Sequence, residues 1–144
     1  KRQGLTRFAN RKHLARAVLE STAYQTRDVA DAMVADSGVE ITELRVDGGM
    51  TMNELLMQFQ SDILGVEVHR PKNIETTATG AAFAAGLDHG FWDDLSVLGS
   101  QTGDMKVFKP KRDKEEVEGL YRDWKRAIKR SLEWEDNEDE DLNI

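Results

Sequence analysis

Helical and strand-like segments alternate along this chain, and their order limits the fold more than any other feature. Apolar residues recur at helical spacing over residues 13–36, 51–64, 76–88 and 114–134. Strand-like alternation marks 39–46 and 66–68, and 105–110 is predicted to be extended. This order is typical of an α/β layer. Because most sheets contain about four to six strands, two strands predict an incomplete sheet flanked by helices. We expect its other strands to lie upstream in a longer protein.

The first predicted helix carries clear signals at both ends. Asn10 is a predicted N-cap, and Gly38 is predicted to end the helix. The residues expected to share its buried face are Leu14, Ala17, Val18, Ser21, Gln25 and Val29. Since buried amides are normally hydrogen-bonded, Gln25 is expected to bond neighbouring backbone, with contact to a ligand as the alternative.

The helix predicted over 76–88 has an unusual composition. It is rich in alanine and contains Gly80 and Gly86. A glycine inside a helix costs up to about 1 kcal/mol relative to alanine. These glycines therefore predict the close approach of another backbone, which is a packing role.

Acidic residues are concentrated at the end of the chain. The 144 residues include 27 acids and 20 bases, and seven of the acids lie in 133–141, so the remainder holds 20 acids against 20 bases. We therefore predict one folded part, 1–134, followed by a disordered acidic tail, 135–144. A basic surface for nucleic acid is not expected.

Several classes of chemistry are excluded by what the sequence lacks. Without cysteine, there are no disulfides, no thiolate nucleophile and no cysteine-bound zinc. No apolar run approaches the roughly 20 residues of a membrane span, so we expect no membrane partner. The lack of cysteine fits a reducing compartment, and the expected location is cytoplasmic. His13, His69 and His89 lie in separate segments without ligand spacing, and no metal site is predicted. Hydrolase, P-loop and Rossmann motifs are also absent.

Segment 44–53 is the candidate site. There a strand ends, Gly48 and Gly49 turn the chain, and a helix begins within two residues. Such a junction directs free N–H groups and the positive end of a helix dipole at one point, and glycine lets a ligand approach the backbone. Ligands of open α/β sheets lie beyond the carboxyl ends of strands. Gly48, Gly49 and Asn53 therefore predict a phosphate or nucleotide site, with a plain turn as the alternative.

Neighbouring residues are assigned structural roles. Thr51 and Glu54 match a capping box and predict a helix that starts after Thr51. Asp47 is expected to orient the turn through side-chain to backbone bonds rather than to act as a base. No catalytic residue is predicted within the chain.

The stretch 44–65, Leu-Arg-Val-Asp-Gly-Gly-Met-Thr-Met-Asn-Glu-Leu-Leu-Met-Gln-Phe-Gln-Ser-Asp-Ile-Leu-Gly, closely resembles the glycerol kinase family. Asp-Gly-Gly alone indicates only the wider superfamily of sugar kinases, actin and heat-shock ATPases. The run 57–62 points to glycerol kinases among the carbohydrate kinases. Further similar segments are 4–7, 13–20, 23–27, 75–82, 90–92 and 124–127, and the resemblance covers about residues 4–134.

The resemblance implies the C-terminal part of an actin-like (ribonuclease H-like) ATPase domain, on the nucleotide side of a kinase. The family transfers the γ-phosphoryl group of Mg-ATP to glycerol and forms glycerol 3-phosphate. Gly49 would lie against the phosphates, Gly48 would shape the turn, and Asn53 would contact the adenosine end. The glycerol-binding residues, the catalytic aspartate and the Mg ligands match nothing in this chain and are expected upstream.

The chain on its own is therefore predicted to be inactive. Its expected partners are the upstream part of the same protein, glycerol as the substrate of the complete enzyme, and further copies in a homo-oligomer. Two alternatives remain open at this point. The chain is a non-catalytic oligomerisation or interaction module, or it is the same region of another carbohydrate kinase.

Overall fold

The computed structural model describes residues 5–96 and 104–132, so the predicted acidic tail lies outside the described residues. The helices are α1 (Arg11–Ser37), α2 (Glu54–Leu64), α3 (Thr76–Asp88) and α4 (Lys114–Lys129). The strands are β1 (Glu43–Arg45), β2 (Glu67–Pro71) and β3 (Met105–Phe108). None of the helices in the described ranges combines the length and apolar character that a membrane crossing requires.

Strand β2 is the centre of the sheet that the described residues form. It runs parallel to β1, with Leu44 opposite Val68, and antiparallel to β3, with Phe108 opposite Val68. The expectation of an α/β sheet flanked by helices is confirmed. The count of two strands was wrong, because the extended segment before Pro110 pairs with β2. Its Phe108 is buried beside Val68, which gives this third strand a place in the core.

The core lies between the sheet and the pair α1 and α2. Helix α2 lies at its centre, and seven of the eleven residues of α2 are buried. The residues of the core are Ala23, Tyr24, Leu56, Met57, Phe59, Ile63, Val68, Phe108, Val117 and Tyr121. Burial of large apolar side chains is the main term that stabilises such a domain.

Helix α1 begins and ends at the predicted residues. The side chain of Asn10 accepts hydrogen bonds from the N–H groups of Lys12 at 2.9 Å and His13 at 3.4 Å, and the ring of His13 accepts one from the N–H of Asn10. Gly38 adopts φ +70°, the left-handed conformation that glycine tolerates best at a helix end.

The predicted buried face of α1 was wrong. Its buried residues are Ala23 and Tyr24, whereas Val18 and Val29 are exposed. Gln25 is exposed too, and its amide donates to the carbonyl of Ser21 at 3.1 Å, so it bonds local backbone but is not buried. Helix α1 carries apolar residues on more than one side, and α2 and α4 cover the side that holds Tyr24.

Helix α4 is tied to α1 through Asp28. The carboxylate of Asp28 accepts three hydrogen bonds from α4. The donors are the hydroxyl of Tyr121 at 2.6 Å, the indole N–H of Trp124 at 2.8 Å and the ammonium of Lys125 at 2.6 Å. Burial acts to raise the pKa of Asp28, but these three hydrogen bonds outweigh it and hold the pKa below its ordinary value. The helix predicted over 114–134 buries the apolar residues Val117 and Tyr121, whereas Ile128 and Leu132 near its end are exposed.

Helix α3 stands apart from the core. None of its residues is buried against the described part of the chain. At Gly86 the close neighbour is the indole ring of Trp92 and not the predicted backbone, because a Cβ on Gly86 would overlap Cζ3 of that ring. At Gly80 a Cβ would meet nothing within 4 Å, so the expectation of a closely packed backbone was wrong there for the described residues.

Candidate functional site

The turn after β1 depends on a glycine at position 48. Gly48 has φ +83° and ψ 169°, a conformation that is open to glycine and strained for other residues. Its N–H donates to the carbonyl of Ile74 at 3.1 Å. Its carbonyl accepts from both the N–H of Thr51, at 3.1 Å, and the Thr51 hydroxyl, at 2.7 Å. Gly48 therefore fixes where the chain turns, and the two residues that follow it, Gly49 and Met50, are exposed.

Gly49 begins a short 3-10 helix, Gly49–Met52. It is exposed, its φ is not positive, and a Cβ there would meet nothing within 4 Å among residues 5–96 and 104–132. The first N–H groups of a helical turn have no acceptor inside the turn. The backbone at Gly49 and Met50 can therefore be approached closely and offers hydrogen-bond donors to an anion.

Asn53 is the N-cap of α2. Its Oδ1 accepts from the N–H of Leu56 at 3.1 Å, and the side-chain amide nitrogen remains a donor group at the same corner. The capping box predicted for Thr51 and Glu54 was wrong, because the 3-10 turn occupies Gly49–Met52 and the α-helix begins at Glu54. The hydroxyl of Thr51 closes the turn instead.

The start of α2 carries a compensated negative charge. The carboxylate of Glu54 is hydrogen-bonded by the Lys106 ammonium and lies 3.9 Å from Nη2 of Arg70. The Lys106 hydrogen bond is the main cause that lowers the pKa of Glu54. A negative charge near a helix N-terminus opposes anion binding there, and the two cations reduce that opposition.

A cleft of about 450 Å³ separates the sheet from α3 and reaches the turn at Asp47. The carboxylate of Asp47 accepts a hydrogen bond from the hydroxyl of Thr76, the first residue of α3. We had expected Asp47 to bond backbone, but its partner is this side chain. Asp47 therefore couples the glycine turn to the start of α3.

The histidines occupy structural positions in the described ranges. His13 belongs to the cap of α1, and His69 contacts Glu67 at 3.1 Å. Residues 5–96 and 104–132 contain no group of three or more histidine, aspartate or glutamate side chains that could hold a metal ion.

Two further residues that were not predicted from the sequence, Arg70 and Thr76, contact the glycine turn. Arg70 bonds Thr51, and Thr76 bonds Asp47. Arg70 lies beyond the strand-like segment predicted over 66–68, but β2 continues to Pro71. Alternation along β2 gives the missed signal, because Arg70 lies two residues after buried Val68 and so on the same side of the strand. No sequence pattern singles out the contact between Thr76 and Asp47.

Solved structures with a similar fold include glycerol and xylulose kinases. Plasmodium falciparum glycerol kinase with ADP matches with a TM-score of 0.79 and 37% identity, over 90% of this chain and 26% of that chain. Xylulose kinase from Rhodospirillum rubrum matches with a TM-score of 0.69 and 28% identity, over 88% and 26%. The fold is therefore that of the C-terminal part of an actin-like ATPase domain.

The family follows from the sequence of the same region. The model for the C-terminal domain of the FGGY family of carbohydrate kinases matches residues 3–88. The chain belongs to the FGGY family of carbohydrate kinases. This membership does not favour a non-catalytic interaction module.

The most similar curated relatives include two bacterial glycerol kinases. That of Corynebacterium kroppenstedtii is 66% identical over 95% of this chain, and that of Pseudarthrobacter chlorophenolicus is 58% identical over 94%. The chain spans about 27% of the length of these relatives.

Proposed function

We propose that this chain forms, through residues 1–134, the C-terminal part of the nucleotide-side domain of an ATP-dependent glycerol kinase. The complete enzyme transfers the γ-phosphoryl group of ATP to glycerol and forms glycerol 3-phosphate. Glycerol kinases at 55–66% identity support this substrate over that of xylulose kinase, whose solved structure is 28% identical. The observation that carries the proposal is the open backbone at Gly49, at the end of a strand and the start of a helix.

In this proposal the turn holds the nucleotide. Gly49 lies against the phosphates, Gly48 sets the direction of the turn, and the Asn53 amide donates to the adenosine end. Phosphoryl transfer depends mainly on positioning and on stabilisation of charge, so backbone donors contribute without an acid or base in this segment. The open space around Gly49 fits a phosphate group, and the first N–H groups of a helical turn have no acceptor inside the turn.

The rest of the reaction requires other parts of the enzyme. We propose that the segment upstream of this chain supplies the glycerol-binding residues, the catalytic aspartate and the ligands of Mg. The complete enzyme then works in the cytoplasm as a homo-oligomer, and this chain alone does not phosphorylate glycerol.

Replacing Gly49 by valine in the complete enzyme tests the proposal. The Cβ meets nothing within 4 Å, so the fold should tolerate the change, but the branched side chain occupies the path of the phosphates. We expect KM for ATP to rise by about tenfold or more, which is about 1.4 kcal/mol of lost binding, with KM for glycerol changed by less than about twofold.

Gly119→Val is the matched control. Gly119 lies in α4, and a Cβ there would have only Arg122 Nη2 nearby, at 3.8 Å. This variant should leave both KM values close to those of the parent enzyme. Unchanged ATP kinetics in Gly49→Val would remove this turn from the nucleotide site.

Asn53 requires a substitution that separates its two roles. Serine keeps an N-cap acceptor for the N–H of Leu56 but removes the amide donor. Asn53→Ser should therefore raise KM for ATP by about fivefold, the scale of one hydrogen bond, and leave thermal stability nearly unchanged. Asn53→Ala should also lower the unfolding temperature, because it removes the cap. Equal ATP kinetics in the serine variant and the parent enzyme would contradict a contact from the amide.

A further inference from the structure

Arg70 reaches the glycine turn from the neighbouring strand. Its side chain is only 11% exposed. The Nη1 atom donates to the carbonyl of Thr51 at 2.7 Å, and the guanidinium carbon lies 5.6 Å from the centroid of the Phe108 ring. A guanidinium is a costly group to bury, and burial of a charge is tolerated when its donors are used. The buried polar end of Arg70 is directed at the backbone of the turn.

The carbonyl that accepts this hydrogen bond belongs to Thr51, the residue that closes the glycine turn. Thr51 is buried, at 5% exposure, and both its N–H and its hydroxyl donate to the carbonyl of Gly48. Thr51 therefore connects Arg70 to Gly48 through two successive sets of hydrogen bonds. Gly49 lies between the two ends of that connection, so its position depends on where Arg70 holds Thr51.

We propose that Arg70 is a positioning residue for the nucleotide: it fixes the 3-10 turn so that the Gly49 backbone is held ready for the phosphates. This inference rests on the proposed function of the turn and adds a residue to it. An apolar side chain could fill the space beside Phe108 equally well, since buried charges are often replaced by apolar groups at no cost in stability. The hydrogen bond to Thr51 is the contact that an apolar residue lacks.

Lys106 provides a matched comparison on the paired strand. It lies directly opposite Arg70 in the sheet, and its ammonium is 5.3 Å from the same Phe108 ring. It also pairs with Glu54, as Arg70 does at longer range. Its ammonium donates a hydrogen bond to Glu54, a side chain of α2, and not to the backbone of the turn. Removing each cation in turn therefore separates the general effect of positive charge from the specific bond to Thr51.

The test uses Arg70→Met, Arg70→Lys and Lys106→Met in the complete enzyme. Methionine keeps the apolar stem of arginine and removes its donors. We expect Arg70→Met to raise KM for ATP by about tenfold, as for loss of a charge-assisted hydrogen bond, with KM for glycerol within about twofold. Lys106→Met should change KM for ATP by no more than about threefold. Arg70→Lys, which keeps the charge and one donor group, should recover part of the loss and remains informative if the methionine variant folds poorly.

Hydrogen exchange gives a readout that does not depend on activity. The peptide that spans residues 48–54 should exchange faster in Arg70→Met than in Lys106→Met or the parent enzyme, while peptides from α4 exchange alike in all three. Parallel increases in both KM values with faster exchange throughout the enzyme would assign Arg70 a purely structural role and overturn the inference. Unchanged ATP kinetics and unchanged exchange in residues 48–54 would overturn it as well.

The Gly49→Val result separates the two proposals. If Gly49→Val raises KM for ATP and Arg70→Met does not, the role of Arg70 fails while the nucleotide site stands. If Gly49→Val leaves KM for ATP unchanged, the nucleotide site itself fails.

Discussion

Helices α2 and α3 each follow a strand of the sheet, yet their surroundings are opposite. Helix α2 buries seven of its eleven residues, whereas α3 buries none of its thirteen against the described residues. Composition alone suggests the reverse, because α3 is made mostly of alanine and glycine with few polar residues, and α2 contains glutamine, serine and aspartate. A helix that is apolar on all sides is usually a buried one. Burial therefore depends on the neighbours that each helix meets.

The polar residues of α2 show how such a helix is accommodated. Ser61 donates to the carbonyls of Val66 at 2.7 Å and Phe108 at 3.0 Å. Asp62 accepts from the N–H of Lys111 at 2.8 Å and contacts Nε of Arg112 at 3.4 Å. Buried polar groups are tolerated when they are hydrogen-bonded. In α2 these bonds also hold the segment before α4 against the core.

Replacing one phenylalanine in each helix should give the largest difference in stability between α2 and α3. Phe59 in α2 is 3% exposed and packs edge-on against Tyr24, with 5.5 Å between ring centroids, whereas Phe83 in α3 is half-buried beside Trp92. Phe59→Ala should lower the free energy of unfolding by about 3–5 kcal/mol, and Phe83→Ala by less than about 2 kcal/mol. Urea unfolding of both variants measures the difference. Equal losses would mean that α3 contributes to the core as α2 does.

Substitution of alanine for each of two glycines in α3 should have smaller effects, and the two variants should behave differently. Gly80→Ala adds a Cβ in open space within a helix and should raise the free energy of unfolding by about 0.5–1 kcal/mol. Gly86→Ala forces the Trp92 ring to move, because the new Cβ would overlap it. Tryptophan fluorescence should therefore change in Gly86→Ala and not in Gly80→Ala. Identical spectra for the two variants would contradict the packing of Trp92 on α3.

The smallest expected effect is a change in the pH dependence of unfolding, and it concerns Tyr24 on the buried side of α1. Burial, with the nearby Glu20 carboxylate, raises the pKa of Tyr24 from 10.0 to about 12. Because the folded state disfavours the ionised phenol, its contribution to stability is complete below pH 10.0 and is lost as the pH rises through about 12. Tyr24→Phe keeps the ring contacts and should make unfolding less dependent on pH over that interval.

The control for this titration is Tyr121→Phe. The pKa of Tyr121 is also raised, by burial first and then by its hydrogen bonds to Asp28 and Asp31. Both variants should therefore flatten the alkaline stability curve, but only Tyr121→Phe should weaken the tie between α1 and α4 near neutral pH. A curve for Tyr24→Phe that superimposes on the parent curve would show that Tyr24 titrates alike in both states.

The sequence predicted those features that depend on local chemistry. Asn10 and Gly38 mark the ends of α1 in the structure as they do in the sequence, since caps and left-handed glycines act over a few residues. The strongly amphipathic α4 was also predicted with its buried Val117 and Tyr121. These signals require no knowledge of distant neighbours.

Features that depend on distant contacts were missed. The buried face of α1 was misassigned because Val18 and Tyr24 lie on different apolar sides, and the positions of α2 and α4 decide which side is buried. The start of α2 was misplaced because Gly48 bends the chain into a 3-10 turn, which a capping pattern does not reveal. The role of Gly48, Gly49 and Asn53 toward a nucleotide stays a prediction.

The core extends beyond the stretch that the carbohydrate kinase model matches, which ends at residue 88. Phe108, Val117 and Tyr121 come from β3 and α4, and they pack on the strand and helices of the matched stretch. Truncation at residue 88 would remove β3, the antiparallel partner of β2, and would expose Phe59 and Val68. The evolutionary unit that sequence comparison recognises is thus smaller than the unit that must fold, and expression boundaries should be drawn after α4.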